Sequence, residues 1–389
     1  MKSDKGLPAI LRRTVRQLIR RPIYWFGFFG IPLFMFLFIT SMMESGLPQH
    51  IPAALVDRDG TELSRNVGRT LNSMELANIT RTPESYSAAR DLLQRGEIYG
   101  FFLIPEKFEA DMLAGRSPAI TFYYNMAYFV PGSMLFKSFK TTAVLTKAGV
   151  ALKVADAVGA DAGQLMPMIQ PVNIQARAIG NPSLNYGIYL GNSFIPGILQ
   201  LMIMLMTVYS IGEEIKRHTS PALLRMGNGS ILEVIFGKLL PQTIVWWVIG
   251  CFMVAWLYYY NGYTMQCPLW VMLLSELLFV LASQGFAIFV FGVLPSLRLA
   301  MSICSLLGVL SFSIAAFSFP VESMYPALKP FTYIMPVRYN FLIYADQALA
   351  GRELYFSRWW FAAYFIFILI PFIFMRRIKK AYADPVYVP

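Results

Sequence analysis

Six apolar stretches, at residues 23–43, 188–212, 239–260, 269–294, 299–319 and 359–375, constrain this chain more than anything else in it. A helix needs about 20 apolar residues to cross the hydrocarbon core of a bilayer. Inside that core no water reaches backbone N–H and C=O groups, so a crossing segment satisfies its own by coiling into a helix. The composition agrees, since 56% of residues are hydrophobic and only 14% charged, too apolar a balance for a soluble protein of 389 residues. The chain therefore reads as an α-helical polytopic membrane protein with six transmembrane helices, and the even number puts both termini on one side.

Lysine and arginine beside short loops are retained in the cytoplasm during insertion. Arg12, Arg13, Arg16, Arg20 and Arg21 precede span one, and Lys216, Arg217, Arg225 and Lys238 lie between spans two and three. Arg298 follows span four, and Arg376, Arg377, Lys379 and Lys380 follow span six. All fall on one face, so both termini are expected in the cytoplasm. The opposite loop at 261–268 has no charge, and 321–357 balances Lys329, Arg338 and Arg352 against Glu322, Asp346 and Glu353. The net charge of +11 is absorbed by this topology and by anionic membrane lipids, and it calls for no nucleic acid.

Leu7, Ile10, Leu11, Val15, Leu18 and Ile19 recur at helical spacing with arginines on the other face, the pattern of a helix lying in the membrane interface. The competing reading is the start of a signal peptide. The following apolar run is too long for that, and no small-residue cleavage site follows Thr40-Ser41-Met42-Met43.

Residues 44–187 are the one large polar block and are expected outside the cytoplasm. Strand signals at 51–56, 98–104, 119–124 and 172–179 alternate with helix signals at 61–74, 82–96, 106–114 and 131–158. That alternation predicts an inserted α/β extracytoplasmic domain with a small mixed sheet. Asp57-Arg58-Asp59-Gly60 has part of a calcium-loop pattern but lacks its third acidic position and distal glutamate, so it reads as the turn after the first strand.

Several chemistries are excluded. Cys251 and Cys304 lie in spans and only Cys267 in an outer loop, which leaves no disulfide framework. His50 and His218 are expected on opposite sides of the membrane, which argues against a two-histidine metal site. The chain has no G-x-x-x-x-G-K-[ST], and Gly237-Lys238 lacks the upstream glycine loop. No catalysis and no cofactor is expected in this chain, and any ATP must be bound by another subunit.

Between spans two and three runs EEIKRHTSPALLRMGNGSILEVIFGKLLPQ, a charged helix-turn-helix at the tip of a membrane hairpin. Ser220 and Pro221 open a helix, Leu223, Leu224 and Met226 give it an apolar face, Gly227-Asn228-Gly229 ends it, and Ser230 caps the next. This segment resembles the cytoplasmic loop between the second and third spans of permeases of the type-2 ABC exporter family. The residues that carry the resemblance are Glu213, Glu214, Lys216, Arg217, Thr219, Leu223, Leu224, Leu232, Glu233, Gly237, Lys238, Leu239, Leu240 and Pro241, with His218 where the family usually has glycine. The Pro-rich segment 320–351, with Met335-Pro336-Val337-Arg338-Tyr339, is similar to the family's outer re-entrant element.

The resemblance implies an organisation and a set of partners. Residues 1–22 would be an amphipathic elbow helix, 23–43 span one, 44–187 the extracytoplasmic domain, 188–375 spans two to six, and 376–389 a basic cytoplasmic tail. The chain would be a permease subunit of an ATP-driven exporter in a bacterial inner membrane. A second permease copy or paralogue would complete the pathway, separate ATPase subunits would bind ATP and Mg, and a periplasmic adaptor and outer-membrane channel would join in some members. Coupling would pass through 213–238, with Glu213, Glu214, Lys216, Arg217, Thr219, Glu233, Gly237 and Lys238 as its frame and Leu223 and Leu224 as an apolar knob received by the ATPase. A mostly apolar path suits a hydrophobic or amphipathic substrate: a drug, a lipid or an envelope component.

Polar residues inside spans stand out because the bilayer gives them no partner. Ser193, Gln200 and Thr207 recur every seven residues on span two, with Asn192 adjacent, and Glu276, Ser283 and Gln284 align on span four. Either these stripes hydrogen-bond neighbouring helices, or they line a substrate path or a dimer seam. Glu276 points to a proton or substrate contact, or to a buried partner. Two other classes of function stay open: a membrane-anchored envelope sensor or binding protein, and a proton-coupled carrier using Glu276. A cytoplasmic output domain would mark the first, and internal repeats would mark many carriers of the second kind.

Overall fold

A computed structural model describes residues 5–44, 46, 50–74, 76–114, 116, 118–128, 130–140, 181, 185–317 and 319–386. They fall into two compact units, Met1–Gly46 with Ala178–Pro389, and Leu47–Arg177.

The first unit is a helical bundle. Six of its helices are long and apolar enough to cross a membrane: Pro22–Met42, Gly187–Lys216, Ile231–Tyr260, Leu269–Val293, Leu297–Ile314 and Leu354–Ala383. Each matches an expected span. Spans two, three and six outrun their apolar stretches because their ends pack against one another, so the helices need not stop where hydrophobicity does. Span six passes through a short 3-10 stretch, Ile370–Phe374, where Pro371 removes one backbone donor. It then continues as the helix Met375–Ala383, where the sequence suggested only a basic tail. Met375, Ile378 and Tyr382 of this helix are buried, while Arg376, Arg377, Lys379 and Lys380 are exposed.

Spans two and four form the centre of the bundle. Two-thirds of each apolar window (67%) is buried, against 22% for span five. Spans four and six touch backbone to backbone at Gly285, where an added Cβ would lie 2.3 Å from the carbonyl oxygen of Phe367. Within 320–351 the expected re-entrant segment has a helix, Pro336–Ile343, opened by proline in its first turn.

The second unit holds a four-stranded sheet of β1 (Ile51–Asp57), β2 (Ala77–Arg81), β3 (Gly100–Ile104) and β4 (Thr121–Tyr124), in the order β2-β1-β3-β4. β1 runs parallel to β2 and β3, and β4 runs antiparallel to β3. Alternate side chains face opposite sides. Ala53, Phe102 and Ile104 pack with Val67 and Leu71 of the helix Glu62–Asn72, and Ala54, Val56 and Phe101 pack with Ala89 of the helix Tyr86–Gln94. β2 was not expected. Its sequence ANITR is short and polar, as suits an edge strand, and gives almost no alternating signal.

Asp57–Gly60 is a turn, as expected. Asp57 Oδ1 accepts from the amides of Asp59 (3.0 Å) and Gly60 (3.1 Å), and the Asp59 carboxylate accepts from the amides of Phe108 (3.0 Å) and Glu109 (3.1 Å) at the start of the helix Phe108–Leu113. Among the described residues no group of three or more His, Cys, Asp or Glu could hold a metal ion. Residues 130–140 are helical. The rest of the helix expected at 131–158 and the strand expected at 172–179 lie outside the described residues.

Candidate functional site

The periodic apolar residues near the N-terminus form the helix Leu7–Arg20, which buries Ala9, Ile10 and Thr14. It lies against the start of span three at Gly237, where a Cβ would come within 2.8 Å of Ile10 Cγ2. The Gly237-Lys238 pair thus has two separate reasons. Glycine lets the elbow helix approach, and the next residue reaches across to span two.

Lys238 Nζ donates to Glu214 Oε1 (2.7 Å), and Arg13 of the elbow helix donates to Glu214 Oε2 (2.7 Å). Thr219 also donates to Glu214, and Gln17 Nε2 approaches it at 3.3 Å. Glu213 pairs with Arg21 and with Arg217, the latter at 2.8 Å, and accepts from the Tyr209 hydroxyl (3.1 Å). Glu213, Glu214 and Lys238 are all buried. A charge buried this deeply is tolerable only when paired and hydrogen-bonded, and here the pairing links the elbow helix with spans two and three.

The tip helix, Ser220–Met226, corrects one expectation. Leu223 and Leu224 do not form a solvent-facing knob: both are buried, and they belong to the core of the bundle with Ile378 and Tyr382. A short helix with one apolar face buries that face on whatever apolar surface its own chain supplies, and here the continuation of span six lies against it. Between 213 and 230 the exposed residues are Lys216, Arg217, His218, Ala222, Arg225 and Asn228. His218 has φ 54°, in the left-handed region that favours glycine, which accounts for the family's preference at that position. Thr219 is half-buried, and Glu233 follows the Ser230 cap, its amide 3.4 Å from the Ser230 hydroxyl oxygen.

The six candidate pathway residues are buried between helices. Ser193 donates to the Tyr189 carbonyl (2.7 Å) on its own helix. Gln200 Oε1 accepts from the Val337 amide (2.7 Å), an N-terminal donor of the re-entrant helix that has no intrahelical acceptor. Glu276 Oε1 accepts from Asn340 Nδ2 (3.1 Å) of that same helix. Gln284 Oε1 accepts from Thr243 (2.7 Å) on span three. Thr207 Oγ1, Ser283 Oγ and the amide nitrogens of Gln200 and Gln284 have no hydrogen-bond partner among the described residues. A cavity of about 20 Å³, the size of one water, lies beside Glu276, Asn340, Asn192 and Tyr258.

Sequence reasoning missed Asn340, Thr243 and the Gln242–Ser210 pair (2.8 Å). Their one signal was being polar within or beside an apolar run, which does not say which helix they face.

A family model described as "ABC-2 family transporter protein" matches residues 22–375 of the chain. No curated protein matches it.

Proposed function

The chain belongs to the ABC-2 family of transporter proteins, and from that premise we propose that it is the permease subunit of an ATP-driven exporter, coupled through its 213–238 tip to separate ATPase subunits. The observation that carries this is the ionic cluster in which buried Glu213, Glu214 and Lys238 meet half-buried Arg13 and Arg21. It joins the elbow helix and the inner ends of spans two and three into one body, so that a push on the tip moves all three. ATP binding in the partner supplies the push, and the bundle alternates access. The partner binds ATP and Mg; this chain conducts no covalent chemistry.

Burial of Leu223 and Leu224 shifts the proposed docking surface to the outer face of the tip helix, with Ala222 and Arg225 at its centre. The leucines brace that helix from within. A second permease copy or paralogue pairs along span five, the least buried span. Both termini lie in the cytoplasm of a bacterial cell, the sheet-bearing unit lies outside the inner membrane, and in a Gram-negative envelope that unit is where a periplasmic adaptor with its outer-membrane channel would attach. Of the expected pathway residues, Ser193 and Gln200 act in helix packing, while Gln284 opens onto a groove wide enough for an amphiphile.

Copurification tests the docking surface. The double variant Ala222→Asp/Arg225→Glu alters two exposed side chains and should insert normally, yet lose the ATPase subunit in mild detergent and lose substrate-stimulated hydrolysis. Retention of a bound, coupled ATPase by this variant would remove the tip from the mechanism.

A further inference from the structure

A groove of about 480 Å³ runs between the start of span three, the middle of span four and the end of span six. That volume falls within the roughly 300–1,000 Å³ of small-ligand sites. Leu232, Phe236 and Phe372 at its rim are exposed; the Phe372 side belongs to a span and opens towards lipid, while the Leu232 end lies at the membrane interface beside the proposed cytoplasmic tip.

Three polar residues, Glu233, Thr243 and Gln284, interrupt the apolar lining. Gln284, only 3% exposed, uses Oε1 to accept from Thr243 and leaves Nε2 without a partner. Glu233 is half-buried, and its Oε2 is buried without a partner among the described residues. An acid in the first turn of a helix is favoured by the helix dipole, which accounts for Glu233 being there but not for the unmade bond. Buried donors and acceptors are normally paired, and leaving one unpaired is costly. Here a free donor and a free anionic acceptor line the same apolar groove. Glu233 and Thr243, the partner of Gln284, stand about 15 Å apart along their helix, so one ligand touching both ends is elongated.

We infer that this groove binds an amine-headed amphiphile: its ammonium on Glu233 Oε2, its apolar body along Phe236, Leu239 and Ile288, and a hydrogen-bond acceptor on Gln284 Nε2. Charge complementarity selects the amine, because a lone carboxylate oxygen in an apolar setting favours a cation and disfavours an anion. Two sources share this chemistry, an ethanolamine phospholipid and a free amphipathic amine. As the substrate class of a permease the inference rests on the preceding proposal; as a binding site it does not.

The test uses the full-length protein in phosphatidylglycerol nanodiscs, with a chain-diazirine dodecylamine and the matching dodecanoic acid as photoprobes. The amine should label peptides from 232–243, 281–288 and 368–375 about tenfold more strongly than the acid, a difference of about 1.4 kcal/mol in binding. Glu233→Gln should abolish that preference, and Gln284→Leu should weaken labelling by a 12-hydroxy form of the amine, which offers Nε2 an acceptor, while leaving labelling by dodecylamine itself unchanged. Equal labelling of the wild type by amine and acid, labelling confined to other segments, or a preference that survives Glu233→Gln would each sink the inference. The wild-type comparison, taken as the ratio to labelling of span five so that the unequal partitioning of the two probes into the anionic bilayer cancels, stands even if a variant folds poorly. Adding ethanolamine phospholipid then separates the sources: competition with the probe identifies the lipid, and undiminished labelling identifies the free amine, both with amine recognition intact. No ATPase is needed, so a negative result leaves the coupling proposal untouched, and a failed docking test leaves this one untouched.

Discussion

Glu214 meets two cations that differ in exposure, and the difference sets what each contributes. Lys238 Nζ is as buried as the carboxylate it holds, with 2% of either side chain exposed, whereas Arg13 is 27% exposed and can keep part of its hydration. Removing one partner of a buried pair leaves an uncompensated charge and costs roughly 3–5 kcal/mol, while removing both can be nearly neutral. Lys238→Met should therefore lower the melting temperature in detergent sharply, and Lys238→Met/Glu214→Met should recover most of it. A double variant no more stable than the single would mean that the pair is not coupled. Asp59 gives a second prediction. Slight burial pushes its pKa up, but hydrogen bonds from the Thr61 hydroxyl and from the amides of Glu109, Phe108 and Lys107 outweigh that and hold the carboxyl below the usual 3.8. A lowered folded-state pKa stabilises above the unfolded value, and the stabilisation is lost as the pH falls through the folded one. Asp59→Ala should cost about 1 kcal/mol at neutral pH, as loss of a helix-start acceptor does. In thermal unfolding the gap to wild type should close as the pH drops below 3.8.

Elements were legible in the sequence to the extent that one physical demand dominated each. The bilayer requires long apolar helices, so all six spans stood out, and the Ser230 cap marked the start of a helix that runs on into span three, whose apolar stretch begins only at 239. β2 was hidden because its pairing is set by β1 and not by a pattern of its own. Leu223 and Leu224 were misread because an apolar pair looks the same whether it awaits a partner protein or the chain's own helix Met375–Ala383, about 150 residues further along. The re-entrant helix Pro336–Ile343 is held by Gln200 and Glu276, and the same segment binds the outer loop through the Gln266 amide and the Ala348 carbonyl (2.9 Å). Cys267 beside that bond, the one cysteine expected in an outer loop, is 9% exposed, and burial pushes its pKa up. A maleimide should therefore react slowly with wild type. Gln200→Leu strands the Val337 amide at a cost of about 1–3 kcal/mol and should speed labelling at Cys267. Cys267→Ser should abolish the signal in both backgrounds, and an unchanged rate in the Leu variant would mean that Gln200 does not anchor the segment.

For the whole molecule, the uneven burial of the spans bears on assembly. Lipid tails are as apolar as leucine, so a membrane helix turned outward gains nothing from hydrophobicity by pairing; it pairs where small or polar residues permit close packing and shared hydrogen bonds. Span five has only 22% of its apolar window buried in the single chain, and its outward face carries Ser302, Ser305 and Ser313 along with Leu306 and Val309. Ser302 returns its hydroxyl to the Arg298 carbonyl (3.0 Å), as a lipid-exposed serine would, so the stripe is compatible with a lone helix but suited to a pair. If two copies meet along this face about a two-fold axis, equivalent residues oppose each other. A cysteine near the axis then falls within the roughly 4.4–6.8 Å Cα separation that a disulfide spans. With Cys251, Cys267 and Cys304 replaced by serine or alanine, Val309→Cys should give a covalent dimer on mild oxidation in membranes, whereas Ile303→Cys, on the half-buried side of the helix, should not. Crosslinking at neither position would assign the seam to another span, and crosslinking only when a paralogous permease with a matching cysteine is coexpressed would make the assembly a heterodimer.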